Sequence, residues 1–224
     1  MSKPVIEIPA TEKHTATVIF LHGLMDTGEG WKGPIEMIKA AGGLNHIKFI
    51  LPTAPIIPVS INFGMPGTAW FDIKSLNPGS MEDLVNLDKN MKYIDSLIEQ
   101  EIKSGIPSNR IILGGFSQGA ALSLYTGFQL ESKLAAIVSL SGFIPSLGLP
   151  GKVRAENKDI PTFMFNGTAD PVVNFKYGEL SYKTLSKSDV KNIEFIPIPG
   201  LGHSANEEEL KQVHDIFKKY LPSL

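Results

Sequence analysis

Short, wholly apolar runs recur along the chain, with stretches of helical periodicity between them. Val18-Ile19-Phe20-Leu21 has no polar position, as expected of a strand covered on both faces. Phe49-Ile50-Leu51, Ile111-Ile112-Leu113, Ala135-Ala136-Ile137-Val138, Phe163-Met164-Phe165 and Ile193-Glu194-Phe195-Ile196 continue the series. Leu84, Leu87, Met91, Ile94 and Ile98 fall on one face of a helix from about Met81 to Lys103, with Ser80 and Asp83 spaced as a capping box. Ala120, Ala121, Leu124, Tyr125 and Phe128 form a second stripe, and Leu210, Val213, Phe217, Tyr220 and Leu221 a third. This alternation predicts an α/β fold with a mostly parallel central sheet and helices on both faces. With no internal repeat or low-complexity linker, one domain over residues 1–224 is expected.

One segment breaks the rhythm. Residues 52–79 are rich in Pro and Gly, yet carry Ile56, Ile57, Ile61, Phe63, Met65, Trp70 and Phe71. A long apolar loop inside a compact domain is usually a lid or a binding element.

Composition narrows the function classes. Lys and Arg number 21 and Asp and Glu 23, a net charge of −2, which argues against nucleic acid as a partner. There is no cysteine, which excludes disulfides, thiolate zinc sites, iron–sulfur clusters and a cysteine nucleophile. The N-terminal residues Met1 to Pro9 contain no apolar signal region and no Gly at position 2. No apolar run approaches the ~20 residues of a membrane span. The expectation is a soluble intracellular protein, cytoplasmic, with the nucleus as a second compartment.

Gly115-Phe116-Ser117-Gln118-Gly119 is a G-x-S-x-G pentapeptide between a predicted strand and a predicted helix, the context of a nucleophile elbow. Small neighbours are needed where strand and helix crowd around a strained serine. A phosphate-binding loop has the same glycine spacing at Gly114 and Gly119, but Ala120 stands where that loop requires Lys. A serine hydroxyl needs a base. Only His203 and His214 follow Ser117 in the chain order Ser, acid, His. His214 lies inside the last predicted helix. His203 lies in the loop Gly200-Leu201-Gly202-His203-Ser204, where Ser204 and Glu207 are spaced as a capping box. His203 is therefore the expected base. Among Asp159, Asp170 and Asp189, Asp170 follows the end of a buried strand and is the expected acid. The oxyanion hole calls for two backbone donors: the N–H of Gln118 and one from the glycine-rich turn after the first buried strand, taken as Leu24. His22 reads as a structural loop-former.

Together, Leu21-His22-Gly23-Leu24 with Asp26-Thr27-Gly28 and Trp31, Gly114-Gly115-Phe116-Ser117-Gln118-Gly119-Ala120, Trp70-Phe71-Asp72, Asn166-Gly167-x-x-Asp170-Pro171 and Gly202-His203-Ser204 resemble the acyl-protein thioesterase/carboxylesterase family of α/β-hydrolases. The resemblance runs from about Ala16 to the C-terminus. It implies an α/β-hydrolase fold without a separate lid domain, a catalytic set of Ser117, Asp170 and His203, and oxyanion donors at Leu24 and Gln118. It further implies cleavage of long acyl chains from protein cysteines, with lysophospholipid or small-ester hydrolysis as the alternative. The implied partners are S-acylated proteins or lipid esters, with no cofactor and no metal. The loop bearing Ile61, Phe63, Met65 and Trp70 is implied to flank an acyl groove. Phe143 falls where an aromatic often lines it, and a core role suits Phe143 equally. The apolar loop also suits transient membrane contact or a homodimer interface, and the sequence does not choose among these. Two departures stand out. Met25 occupies a position where the family usually has Gly, and three residues rather than one separate Pro66 from Trp70.

Overall fold

The computed structural model describes residues 5–75 and 83–224. Its described strands are β1 (Ile6–Ile8), β2 (Ala16–Leu21), β3 (Ile47–Leu51), β4 (Ile56–Val59), β5 (Met65–Thr68), β6 (Ile111–Phe116), β7 (Ala136–Leu140), β8 (Thr162–Gly167) and β9 (Ile193–Ile198). The α-helices are α1 (Gly28–Ala40), α2 (Leu84–Lys103), α3 (Gln118–Gly127), α4 (Phe175–Lys187) and α5 (Glu207–Tyr220).

Seven strands form one sheet in the order β1-β3-β2-β6-β7-β8-β9. All neighbours pair in parallel except β1, which runs antiparallel to β3 at the edge. Side chains alternate across the sheet as a pleat demands. Ile19 and Leu21 of β2 join a core with α2, α3 and α4, while Val18 and Phe20 join a second core with α1 and α5. The expected sheet with helices on both faces is what forms, and its central strands are buried on both sides. No described helix is long and apolar enough to cross a membrane.

Several local expectations change. The segment after Pro52 is not an irregular loop. Ile56–Val59 and Met65–Thr68 pair as an antiparallel hairpin. A 3₁₀ turn at Ser60–Asn62 and left-handed residues Phe63 (φ 55°) and Gly64 (φ 76°) reverse the chain. Pro58 faces Pro66, so the two missing N–H groups fall together in a two-stranded ribbon. The cap of α2 is Asp83 itself, whose carboxylate accepts from the Asn86 N–H at 3.1 Å, while Ser80 and Met81 lie outside the described residues. Leu84 is exposed rather than part of the buried face, which continues through Asn90 and Glu101. The helix after His203 is capped by Asn206, accepting from the Glu209 N–H at 2.8 Å, not by Ser204.

Candidate active site

β2 and β6 are adjacent, but the chain leaves β2 toward β3 on one side and β6 toward β7 on the other. Such a switch point opens a crevice at the carboxyl ends of the strands, where ligands bind in open α/β sheets. Ser117 follows β6 there, Leu24 follows β2, Asp170 follows β8 and His203 follows β9.

Ser117 is held at φ 53° and ψ −116°, a conformation that non-glycine residues rarely adopt. It is the N-cap of α3, and its N–H donates to Leu140 O at 2.8 Å. The flanking glycines are required by contact. A Cβ on Gly119 would lie 2.2 Å from Leu21 O and 2.5 Å from His22 O, and one on Gly115 would lie 2.5 Å from the Gly119 carbonyl carbon. The obstructing atoms are backbone and cannot swing aside. Gly119→Ala is therefore expected to cost about 2–3 kcal/mol of stability. An unchanged melting temperature would show that the elbow is not as crowded as this.

Ser117, His203 and Asp170 are brought into line. His203 Nε2 lies 3.0 Å from Ser117 Oγ, and His203 Nδ1 lies 2.8 Å from Asp170 Oδ2. The other Asp170 oxygen accepts from the N–H groups of Val172 (2.8 Å) and Val173 (2.9 Å), so the carboxylate is anchored before it meets the imidazole. Asp170 is buried, and the Phe116 ring packs 4.8 Å from the His203 ring, leaving the imidazole half-covered. The other candidates lie elsewhere. His214 Nε2 pairs with Gly42 O at 2.8 Å, beyond the end of α1. Asp159 takes a hydrogen bond from Lys133 at 2.7 Å, and Asp189 pairs with Lys158 at 3.5 Å.

The turn after β2 closes over the elbow. A Cβ on Gly23 would be 3.5 Å from Ser117 Cβ. The Asp26 N–H donates to Gly23 O at 3.3 Å, closing a four-residue turn with Leu24 and Met25 at its centre. Met25 adopts φ 64°, the left-handed conformation that Gly would take at no cost. The strand β5 supports it there. The Met25 N–H donates to Thr68 O at 2.8 Å, the Thr68 hydroxyl donates to Asp26 O at 2.6 Å, and the thioether lies against Gly67, where a Cβ would clash with it. The Leu24 and Gln118 N–H groups have no acceptor among the described residues. Two unpaired donors on the turns that flank Ser117 are of the kind that stabilise a developing oxyanion.

The expected groove residues divide. Ile61, Phe63 and Met65 are exposed on the hairpin, Phe63 by 95%. Phe143 is half-buried against the core that contains Trp70. Trp70 itself has 0% exposure, which corrects its placement on a groove surface. Its indole N–H donates to His22 O (2.8 Å), its backbone N–H to Gln118 Oε1 (2.9 Å), and its carbonyl accepts from Asn90 Nδ2. Trp70 thus ties the base of the hairpin to the elbow. The Gln118 amide adds a bond from Nε2 to Phe71 O at 2.7 Å. No local signal marks these side-chain ties, because each joins segments dozens of residues apart.

The chain is similar to proteins with named activities. It is 62% identical over 218 residues to acyl-protein thioesterase 1 homolog 2 of Dictyostelium discoideum, covering 97% of this chain and 98% of that protein. It is 44% identical to acyl-protein thioesterase 1 of Yarrowia lipolytica, covering 94% of each. Among solved structures, acyl-protein thioesterase 2 of Zea mays superposes with a TM-score of 0.88 at 30% identity, covering 97% of this chain and 99% of that one. Residues 1–221 match the family model described as phospholipase/carboxylesterase. Fold, elbow and full-length similarity agree, and the chain belongs to the phospholipase/carboxylesterase family.

Proposed function

We propose that this protein is a serine hydrolase that removes long acyl chains from the cysteines of S-acylated proteins, with Ser117 as nucleophile, His203 as base and Asp170 as the acid that orients it. The observation that carries the reading is the continuous line from Asp170 through His203 to Ser117 Oγ. The named thioesterase relatives support the substrate class.

In this mechanism His203 Nε2 takes the Ser117 proton as Oγ attacks the thioester carbonyl carbon. Asp170 holds Nδ1–H and stabilises the imidazolium. The oxyanion of the tetrahedral intermediate is received by the Leu24 and Gln118 N–H groups. His203 passes the Ser117 proton to the sulfur as the thiol departs, and the neutral imidazole then takes a proton from the water that cleaves the acyl-enzyme, returning it to Ser117 Oγ. A thiol with pKa near ~8.5 needs less protonation on leaving than an alkoxide, so oxygen esters are a harder version of the same reaction. Burial of the acyl chain supplies about 0.8 kcal/mol per methylene. An apolar site separates neighbouring chain lengths by only about 1–3 kcal/mol.

A fluorophosphonate probe is expected to label Ser117, and Ser117→Ala to abolish labelling. Turnover is expected on a palmitoylated peptide. Efficient cleavage of a lysophospholipid without any thioester cleavage would overturn the substrate class in favour of a lysophospholipase. Absence of labelling on folded protein would overturn the enzyme itself.

A further inference from the structure

His22 is wholly buried at the end of β2 and takes no part in the line from Asp170 to Ser117. Both of its ring nitrogens are nevertheless engaged. The Ala54 N–H donates to Nε2 at 2.9 Å, and Nδ1 lies 2.6 Å from Gly23 O. A backbone N–H can only donate, so Nε2 must carry a lone pair. The ring proton of neutral His22 therefore sits on Nδ1, where it donates to the Gly23 carbonyl.

That carbonyl belongs to the peptide unit that joins Gly23 to Leu24. The unit is planar and trans, with its C=O and N–H pointing in opposite directions. Holding the Gly23 oxygen aims the Leu24 N–H. A hydrogen bond accepted by the oxygen also polarises the amide and strengthens its N–H as a donor. The position of the unit is fixed from both sides. Gly23 lies against Phe116 and Ser117, and His22 O accepts the Trp70 indole N–H at 2.8 Å.

We propose that His22 is a positioning residue for the reaction: a neutral imidazole, protonated on Nδ1, that holds the Gly23–Leu24 peptide with its N–H aimed at the substrate oxygen. The proposal rests on the reading of Leu24 as an oxyanion donor. It gives His22 no proton to transfer. Its effect is on the transition state, where charge collects on the oxygen, and so on kcat more than on KM.

Two amides separate the two bonds of the ring. In His22→Asn the amide nitrogen falls near the place of Nδ1 and can donate to Gly23 O, while the acceptor for Ala54 is lost. In His22→Gln the amide reaches the place of Nε2 and accepts from Ala54, while the bond to Gly23 is lost. With an activated thioester, His22→Gln is expected to lower kcat about 10²-fold with KM changed less than about threefold, and His22→Asn to recover most of that loss. Equal kcat losses in the two variants would overturn the proposal and leave His22 a packing residue. A measurement on the unaltered protein covers the case in which neither variant folds. Two-bond ¹H–¹⁵N correlation of its histidines at about neutral pH is expected to show two rings in the Nδ1–H tautomer, His203 against Asp170 and His22 against Gly23 O, with the His203 signals identified by their loss in His203→Ala. An Nε2–H or doubly protonated His22 would overturn the proposal. Fluorophosphonate labelling of Ser117 in the same sample keeps the two readings apart. A labelled enzyme with indistinguishable Asn and Gln variants sinks the His22 role alone, whereas an unlabelled one sinks the hydrolase.

Discussion

Replacing His203 by alanine is expected to lower kcat by about 10⁶-fold, the loss seen when a triad base is removed from a serine hydrolase. His214→Ala is expected to stay within a few-fold of the unaltered protein. The contrast follows from geometry. His203 Nε2 is 3.0 Å from Ser117 Oγ, while the His214 ring is spent on Gly42 O and Asp215. Asp170→Asn is expected to fall between them, at about 10⁴-fold, because an amide can face the imidazole with a donor and leave the wrong nitrogen protonated. The anchoring of Asp170 by the Val172 and Val173 N–H groups sharpens this expectation, since the side chain is not free to turn its other atom inward. Single-turnover measurements on a chromogenic ester would read all three variants. Activity that survives His203→Ala and vanishes in His214→Ala would reverse the assignment of the base.

Glu209→Gln is expected to stabilise the protein near pH 8 and to change little near pH 4.5. Glu209 is fully buried in the first turn of α5, and neither carboxylate oxygen has a hydrogen-bond partner among the described residues. Burial penalises the charged form and pushes its pKa up from 4.5 to about 8. Between those values the folded chain keeps a proton that the unfolded chain has released. Stability therefore falls as pH rises through the window, by up to about 1.4 kcal/mol per pH unit, and levels off above the folded pKa. Glutamine has the shape without the charge, so the slope should disappear. The gain near pH 7.5 is expected to be about 4 kcal/mol, or ~8–16 °C in melting temperature for a chain of this size. Denaturant titrations of both proteins at about pH 5 and about pH 8 would test it. Equal pH slopes in the two would show that another group is responsible.

Much of the chemistry is legible one segment at a time because it is written in local patterns. Runs such as Val18–Leu21 are short and rich in β-branched and aromatic residues, as strands covered on both faces are. The pentapeptide around Ser117 is small where strand meets helix, chain order narrows the base to His203 or His214, and the loop after the last strand and the end of a buried strand single out His203 and Asp170. Elements held by distant contacts are not legible in this way. The helix α1 begins Gly-Glu-Gly and contains Gly33 and Pro34, a composition that argues against helix. Gly30 is there because a Cβ would meet the Asp26 carboxylate at 2.2 Å. The helix α4 has only a sparse apolar face, because Gly178 and Ser181 share its buried side with Leu185 and a Cβ on Gly178 would run into Asn166. The hairpin of β4 and β5 is disguised by the two prolines that face each other across it.

The sequence by itself determined the α/β alternation, the strained serine turn and the identity of the three polar residues that meet there. The tertiary structure alone decided that Trp70 anchors the core instead of lining a surface, and that β5 and His22 brace the turn bearing Leu24 and Met25. The physical reason is range. Strand, helix and turn preferences act over a few residues. Trp70 and Thr68 are brought against that turn from segments distant in the chain, which no local preference reports.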